Sequence, residues 1–108
     1  MLIFNDKILL MNTYLIGYDL LKEEGNQFDY AELKKAIMQI AHDGLFWHCL
    51  DSTWLIKSNS TSLTITNFLR TKIDDNDKLF VAQLQSHDVA WIGFNDKCSN
   101  WLSNYLTN

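Results

Sequence analysis

Phe28 to Ile56 reads FDYAELKKAIMQIAHDGLFWHCLDSTWLI, and a change of period inside it decides the fold. In the first half, Leu33, Ala36, Ile37, Ile40 and Ala41 fall at i, i+3, i+4, i+7 and i+8, one apolar stripe along an amphipathic helix. Asp29 and Glu32 have capping-box spacing, with Phe28 and Leu33 placed as a hydrophobic staple around the cap. Lys34, Lys35 and Gln39 occupy the other faces, and Gly44 is the expected stop. From Leu45 the pattern becomes strand-like, rich in aromatic and β-favouring residues. The run is long for one strand, and Asp51-Ser52 in its middle predicts a bulge or break. Two short strands, 45–50 and 53–57, or one strongly bent strand, are therefore expected.

Upstream, Thr13 to Leu20 (TYLIGYDL) is apolar on both faces until Asp19, the signature of a central strand. The polar stretch Lys22 to Gln27 connects it to the helix. Downstream, Ser58 to Ser62 offers several N-caps, after which Leu63, Ile65, Phe68, Leu69 and Ile73 approximate a second helical face. Asp74 to Asp77 reads as a turn and Lys78 to Leu84 (KLFVAQL) as a strand. Ser86-His87-Asp88 is a tight turn into a further strand, Val89 to Phe94, closing a hairpin. The order predicts an α+β fold, a ferredoxin-like βαββαβ sandwich with an extra C-terminal edge strand. The chain divides into an N-terminal extension (1–12), the ferredoxin-like domain (13–94) and a C-terminal tail (95–108). The tail carries Cys98, Trp101, Leu102, Tyr105 and Leu106, which should dock on the domain or on a partner.

A chain of 108 residues fits one domain with one core. Its composition, 47% hydrophobic and 20% charged, is that of a globular protein and argues against general disorder. A formal net charge of -4 opposes non-specific nucleic-acid binding, which needs a basic face. Proline is absent, so turns must come from Gly, Asn, Asp and Ser. The start, MLIFNDKILL, is too short for a membrane span and lacks the flanks of a signal peptide. A cytoplasmic protein without membrane contact is expected. Cys49 and Cys98 form no CxxC pair and read as two buried thiols in a reduced compartment.

Asp19 is the first candidate for chemistry, because the end of a central strand is a common place for a functional carboxylate. Alone it is a poor Mg²⁺ site, but a nearby two-fold axis would supply a second copy. The bland alternative is a carboxylate that caps the loop. His48 and Ser52 share strand parity, with Asp51 opposed unless a bulge intervenes. They could form a nucleophile–base pair, though a hydrogen-bonded strand histidine beside a bulge serine accounts for them more simply. Trp47 and Trp54, with Trp91 and Trp101, could stack a base or nucleotide if exposed on one sheet face. Core or dimer interface is the plainer role for these indoles. Asp74, Asp75 and Asp77 lack the later Gly and Glu of a calcium loop and read as a solvated turn. His42 and Asp43 close the first helix, where a histidine complements the helix dipole.

Tyr14-Leu15-Ile16-Gly17-Tyr18-Asp19-Leu20 resembles the strand end of the smaller subunit of the CRISPR spacer-acquisition complex. Gly44 to His48, Ser52-Thr53-Trp54 and Ile73 to Val81 follow in that family's order. Short bacterial proteins labelled SinR-like (not the helix-turn-helix repressor) are similar in Asp51 to Trp54 and in the aspartate-rich turn, and the virulence-associated protein D ribonucleases are similar in architecture. The resemblance implies a homodimer in which the last strand of each chain adds to the partner's sheet. It also implies that Asp19 from both subunits flanks Mg²⁺ or Mn²⁺ and activates water on a phosphodiester. The chain departs from the pattern in its sparse basic residues: Lys22 before Glu23-Glu24, and Lys34 and Lys35 in the helix.

Two readings follow. One is a non-catalytic binding or scaffold module, in a bacterial or phage defence or toxin–antitoxin setting, holding a protein or nucleotide partner through Trp47, His48, Ser52 and Trp54. The other is a metal-dependent endoribonuclease or endonuclease with Asp19 as ligand and catalytic group. The acidic charge favours the first.

Overall fold

The computed structural model describes residues 11–21, 27–85 and 88–106. It is an α+β fold whose four strands form one antiparallel sheet in the order β2-β3-β1-β4. The strands are β1 (Asn12–Asp19), β2 (Phe46–Leu50), β3 (Thr53–Ser58) and β4 (Lys78–Leu84). The helices are α1 (Gln27–Ile40), α2 (Ser62–Leu69) and α3 (Asp96–Tyr105). Short 3-10 turns follow α1 at His42–Gly44 and α2 at Arg70–Lys72.

Alternation along the strands builds two apolar layers. On the first face Tyr14, Ile16 and Tyr18 of β1 lie beside Trp54 and Ile56 of β3, under Leu33, Ala36 and Ile37 of α1 and Ile65 and Leu69 of α2. The stripe read from the sequence is thus the buried stripe of α1. The second layer holds Trp47, Leu55, Leu102 and Leu106, with Leu15, Leu84, Val89, Trp91, Phe94 and Trp101 packed against them. Here α3 covers the face opposite α1 and α2. Each Leu or Ile withdrawn fully from water adds roughly 1.5–3 kcal/mol, so both layers stabilise the sheet.

The split of the long aromatic segment occurs where its polar pair falls. Asp51 and Ser52 form the two-residue turn between β2 and β3, and the register slips between Trp47 and Leu50. Left-handed φ values at Asp43 (49°) and Gly44 (72°) end the α1 region, with His42 Nε2 3.1 Å from Asp43 Oδ2. Thr61 caps α2 by accepting the Thr64 N–H, and Asn95 caps α3 by accepting the Cys98 N–H.

Three expectations change. The extra edge strand at Val89–Phe94 is not formed: residues 88–95 run irregularly and residues 96–105 are helical. Val89, Trp91 and Phe94 enter the second layer, and Gly93 takes φ 92°, which interrupts an extended path. Cys49 and Cys98 are not separate thiols but a disulfide with Cα atoms 6.4 Å apart. Docking of α3 on the second face brings together cysteines separated by 49 positions, a proximity that no local pattern encodes. The helix beginning expected at Phe28-Asp29 lies inside α1, which starts at Gln27. The cap and staple contacts of those two side chains fall outside the described residues, as do residues 1–10 and 22–26 and the Ser86-His87 part of the expected turn.

Among the described residues no helix is long and apolar enough to cross a membrane.

Candidate functional site

One end of the sheet collects the polar groups. The last residues of β1, the β2–β3 turn and the first residues of β4 all lie there, because β1 is antiparallel to both β3 and β4. Asp19 stands opposite Lys78 in the β1–β4 register, and both are exposed. Next to them Gly17 pairs with Phe80. Gly17 to Asp19 and Lys78 to Phe80 line a shallow depression of about 200 Å³. Phe80 is 65% exposed.

Asp77 organises the approach to this edge. Its Oδ1 accepts the Leu21 N–H at 2.8 Å and its Oδ2 accepts the Asp74 N–H at 2.8 Å. The carboxylate thereby ties the exit of β1 to the aspartate-rich turn, and both oxygens are committed to backbone donors. That turn is a folded structural turn, as its sequence suggests. Among the described residues no group of three or more His, Cys, Asp or Glu side chains converges so as to hold a metal ion.

On the other face, the Asp51 carbonyl is a shared acceptor. It receives the Tyr18 hydroxyl at 3.4 Å, the Tyr30 hydroxyl at 3.3 Å and His48 Nε2 at 3.0 Å. A carbonyl only accepts, so in this contact Nε2 carries the proton. The His48 ring stacks on Trp54 with centroids 3.9 Å apart and planes 10° from parallel. Trp54 Nε1–H donates to the Tyr18 hydroxyl at 3.0 Å. Burial raises the Tyr18 hydroxyl well above its ordinary pKa, and the neighbouring Tyr30 hydroxyl adds to the shift. Tyr18 therefore remains a protonated donor at ordinary pH. The cluster satisfies its own polar atoms and holds the β2–β3 turn against β1, where the Tyr18 N–H also donates to the Ser52 carbonyl at 3.1 Å.

Asp19, His48 and Ser52 thus lie at one end of the sheet. His48 faces α1's side, Asp19 faces the other, and the ring of His48 meets the Asp51 carbonyl rather than the Ser52 hydroxyl. Trp54 is 0% exposed and Trp47 5% exposed, on opposite faces, so neither presents a stacking platform to solvent. Trp47 Nε1–H instead donates to the Cys98 carbonyl at 3.1 Å. The most exposed aromatic among the described residues is Phe80, which lies in a strand whose alternation made it look like ordinary sheet filling; only the sheet order puts it at an edge. Tyr30 was also illegible, since its partner is a backbone carbonyl twenty-one positions away.

Compared with models of known protein families, the chain matches none.

Proposed function

We propose that this chain is a non-catalytic binding or scaffold module of ferredoxin-like topology that pairs with a second copy of itself through the outer edge of β4. The strand order β2-β3-β1-β4, with a helix between β1 and β2 and another between β3 and β4, supports the topological reading. The observation that carries the pairing is the state of β4. No residue of Lys78–Leu84 is fully buried, although the strand is mostly apolar, whereas β3 is buried from Trp54 to Ser58. Among the described residues β4 has one strand neighbour, β1, and neither proline nor a bulge blunts its other side. The opposite edge, β2, is short and carries the register slip. A self-complementary antiparallel contact about a two-fold axis is the simplest way to complete β4.

A nuclease that uses Asp19 from both subunits needs a different arrangement. With β4 paired to β4, the two β1 strands are three strand spacings apart, about 14 Å at ~4.8 Å per spacing. Two aspartates at that separation cannot ligate one Mg²⁺, whose oxygens lie at roughly 2.1 Å. Shared ligation would require the second faces to meet, with the exposed Asp19 and Phe80 side chains opposed across the contact.

Native mass at micromolar concentration is the deciding measurement, made on the wild type and on Phe80→Lys. A wild-type dimer, a monomeric variant of unchanged thermal midpoint, and no Mn²⁺-dependent cleavage of RNA or DNA are the expected results. A monomeric wild type sinks the pairing. Cleavage that disappears in Asp19→Asn would replace the scaffold reading with the nuclease one.

A further inference from the structure

We propose that the Cys49–Cys98 disulfide is a redox-operated clasp: intact, it pins the C-terminal segment over the second face of the sheet, and its reduction releases that segment while the rest of the fold stands. The two apolar layers share no residue, and the layer under α1 and α2 contains nothing from residues 88–106. Residues 88–106 can therefore leave without opening the first core.

What holds the segment is limited. Its fully withdrawn anchors are Leu102 and Leu106, while Trp91, Phe94 and Trp101 are half-buried. At ten residues α3 is shorter than an isolated helix needs to be stable in water, so once detached it unwinds. Residues 88–95 have no regular structure to lose. The disulfide acts at the point of greatest leverage, joining β2 to the first turn of α3 beside the Asn95 cap. Both cysteines are half-buried, which leaves the bond within reach of a small or protein dithiol.

The chemistry is ordinary exchange. A thiolate of the dithiol attacks one protein sulfur, the Cys49–Cys98 bond breaks, and a mixed disulfide forms. The second thiol of the reductant then displaces the protein sulfur. Two electrons and two protons have passed to the protein, which holds two thiols, and the reductant leaves as its own disulfide. Release uncovers Trp47 and Leu55, each 5% exposed in the closed state, on the same face as the open Gly17 and Phe80. The clasp thereby controls how much of that face is accessible.

The test compares oxidised protein, the same protein in dithiothreitol, and the Cys49→Ser/Cys98→Ser double variant by amide hydrogen exchange. Opening of a local unit predicts exchange faster by ~10-fold or more in α3 on reduction and in the variant, with β1 and β3 as protected as before. Tryptophan emission should shift to the red as Trp47 meets water. Unchanged α3 protection overturns the proposal, because the segment then holds without the bond. Loss of protection throughout the chain also overturns it, because the bond is then a staple of the whole fold. Two titratable thiols in protein prepared without reductant would show that the clasp does not form.

Discussion

Lys57 is the residue whose chemistry is most at odds with its surroundings. It is 5% exposed, on the second face of β3 in register with Thr13, itself 5% exposed. Burial lowers its ammonium below the ordinary value of 10.5. The sign follows from proton counting. Between the lowered value and 10.5, the unfolded chain keeps a proton that the native state has released, so stability climbs with pH across that window. Tyr18 acts oppositely: its raised pKa makes stability fall as pH climbs above 10. The Lys57 contribution is therefore read as the difference between wild type and Lys57→Met. Urea titrations should find the variant more stable than wild type at neutral pH, with the advantage vanishing towards pH 10.5. An advantage independent of pH would mean that the methionine acts through packing alone.

At the level of elements, α2 is the one most dependent on its cap. It has eight residues, with Thr64 and Thr66 in its interior, so its intrinsic propensity is poor. Thr61 offsets this by accepting the Thr64 N–H at 3.1 Å, and Thr66 Oγ1–H donates back to the Ser62 carbonyl at 2.8 Å. Thr61→Ala should cost about 1 kcal/mol in chemical denaturation, and Thr61→Ser should recover most of it. Equal losses in the two variants would place the role of Thr61 in its methyl group instead. The β strands show why position matters more than composition. β4 is richer in apolar residues than β3, yet β3 is sealed between two layers while β4 is half-open on the outside of the sheet.

For the whole molecule, the separation of the two layers sets how damage spreads. Leu33 is 0% exposed in the layer between α1 and the sheet, and Leu33→Ala should lower global stability by about 3 kcal/mol. Leu102 is 3% exposed in the other layer. Leu102→Ala should loosen α3 first, seen as faster local exchange with a smaller shift of the global urea midpoint than Leu33→Ala produces. Equal midpoint shifts would show that the layers unfold as one unit.

Much of the architecture was legible because it is written in local periods. The stripe Leu33–Ala41, the break at Asp51-Ser52 and the strand Lys78–Leu84 each depend on neighbours a few positions apart, and each lies where its pattern placed it. Asp19 at the end of β1 was legible in the same way. The chain after Leu84 was not. Val89–Phe94 has strand-favouring residues, but their burial against Trp47 and Leu55 governs their path, and that surface comes from segments some forty residues earlier. The cysteine pair and the exposure of Phe80 belong to the same class, whereas the interior placement of Trp47 and Trp54 is the plainer role that their residue type suggested. By itself, the sequence determined which segments up to Leu84 are helix or strand and which face of α1 turns inward, since short-range periodicity dictates both. Only the tertiary structure decided which strand is left at the edge, which aromatic remains outside and which sulfur meets which, because those outcomes depend on contacts between residues far apart in the chain.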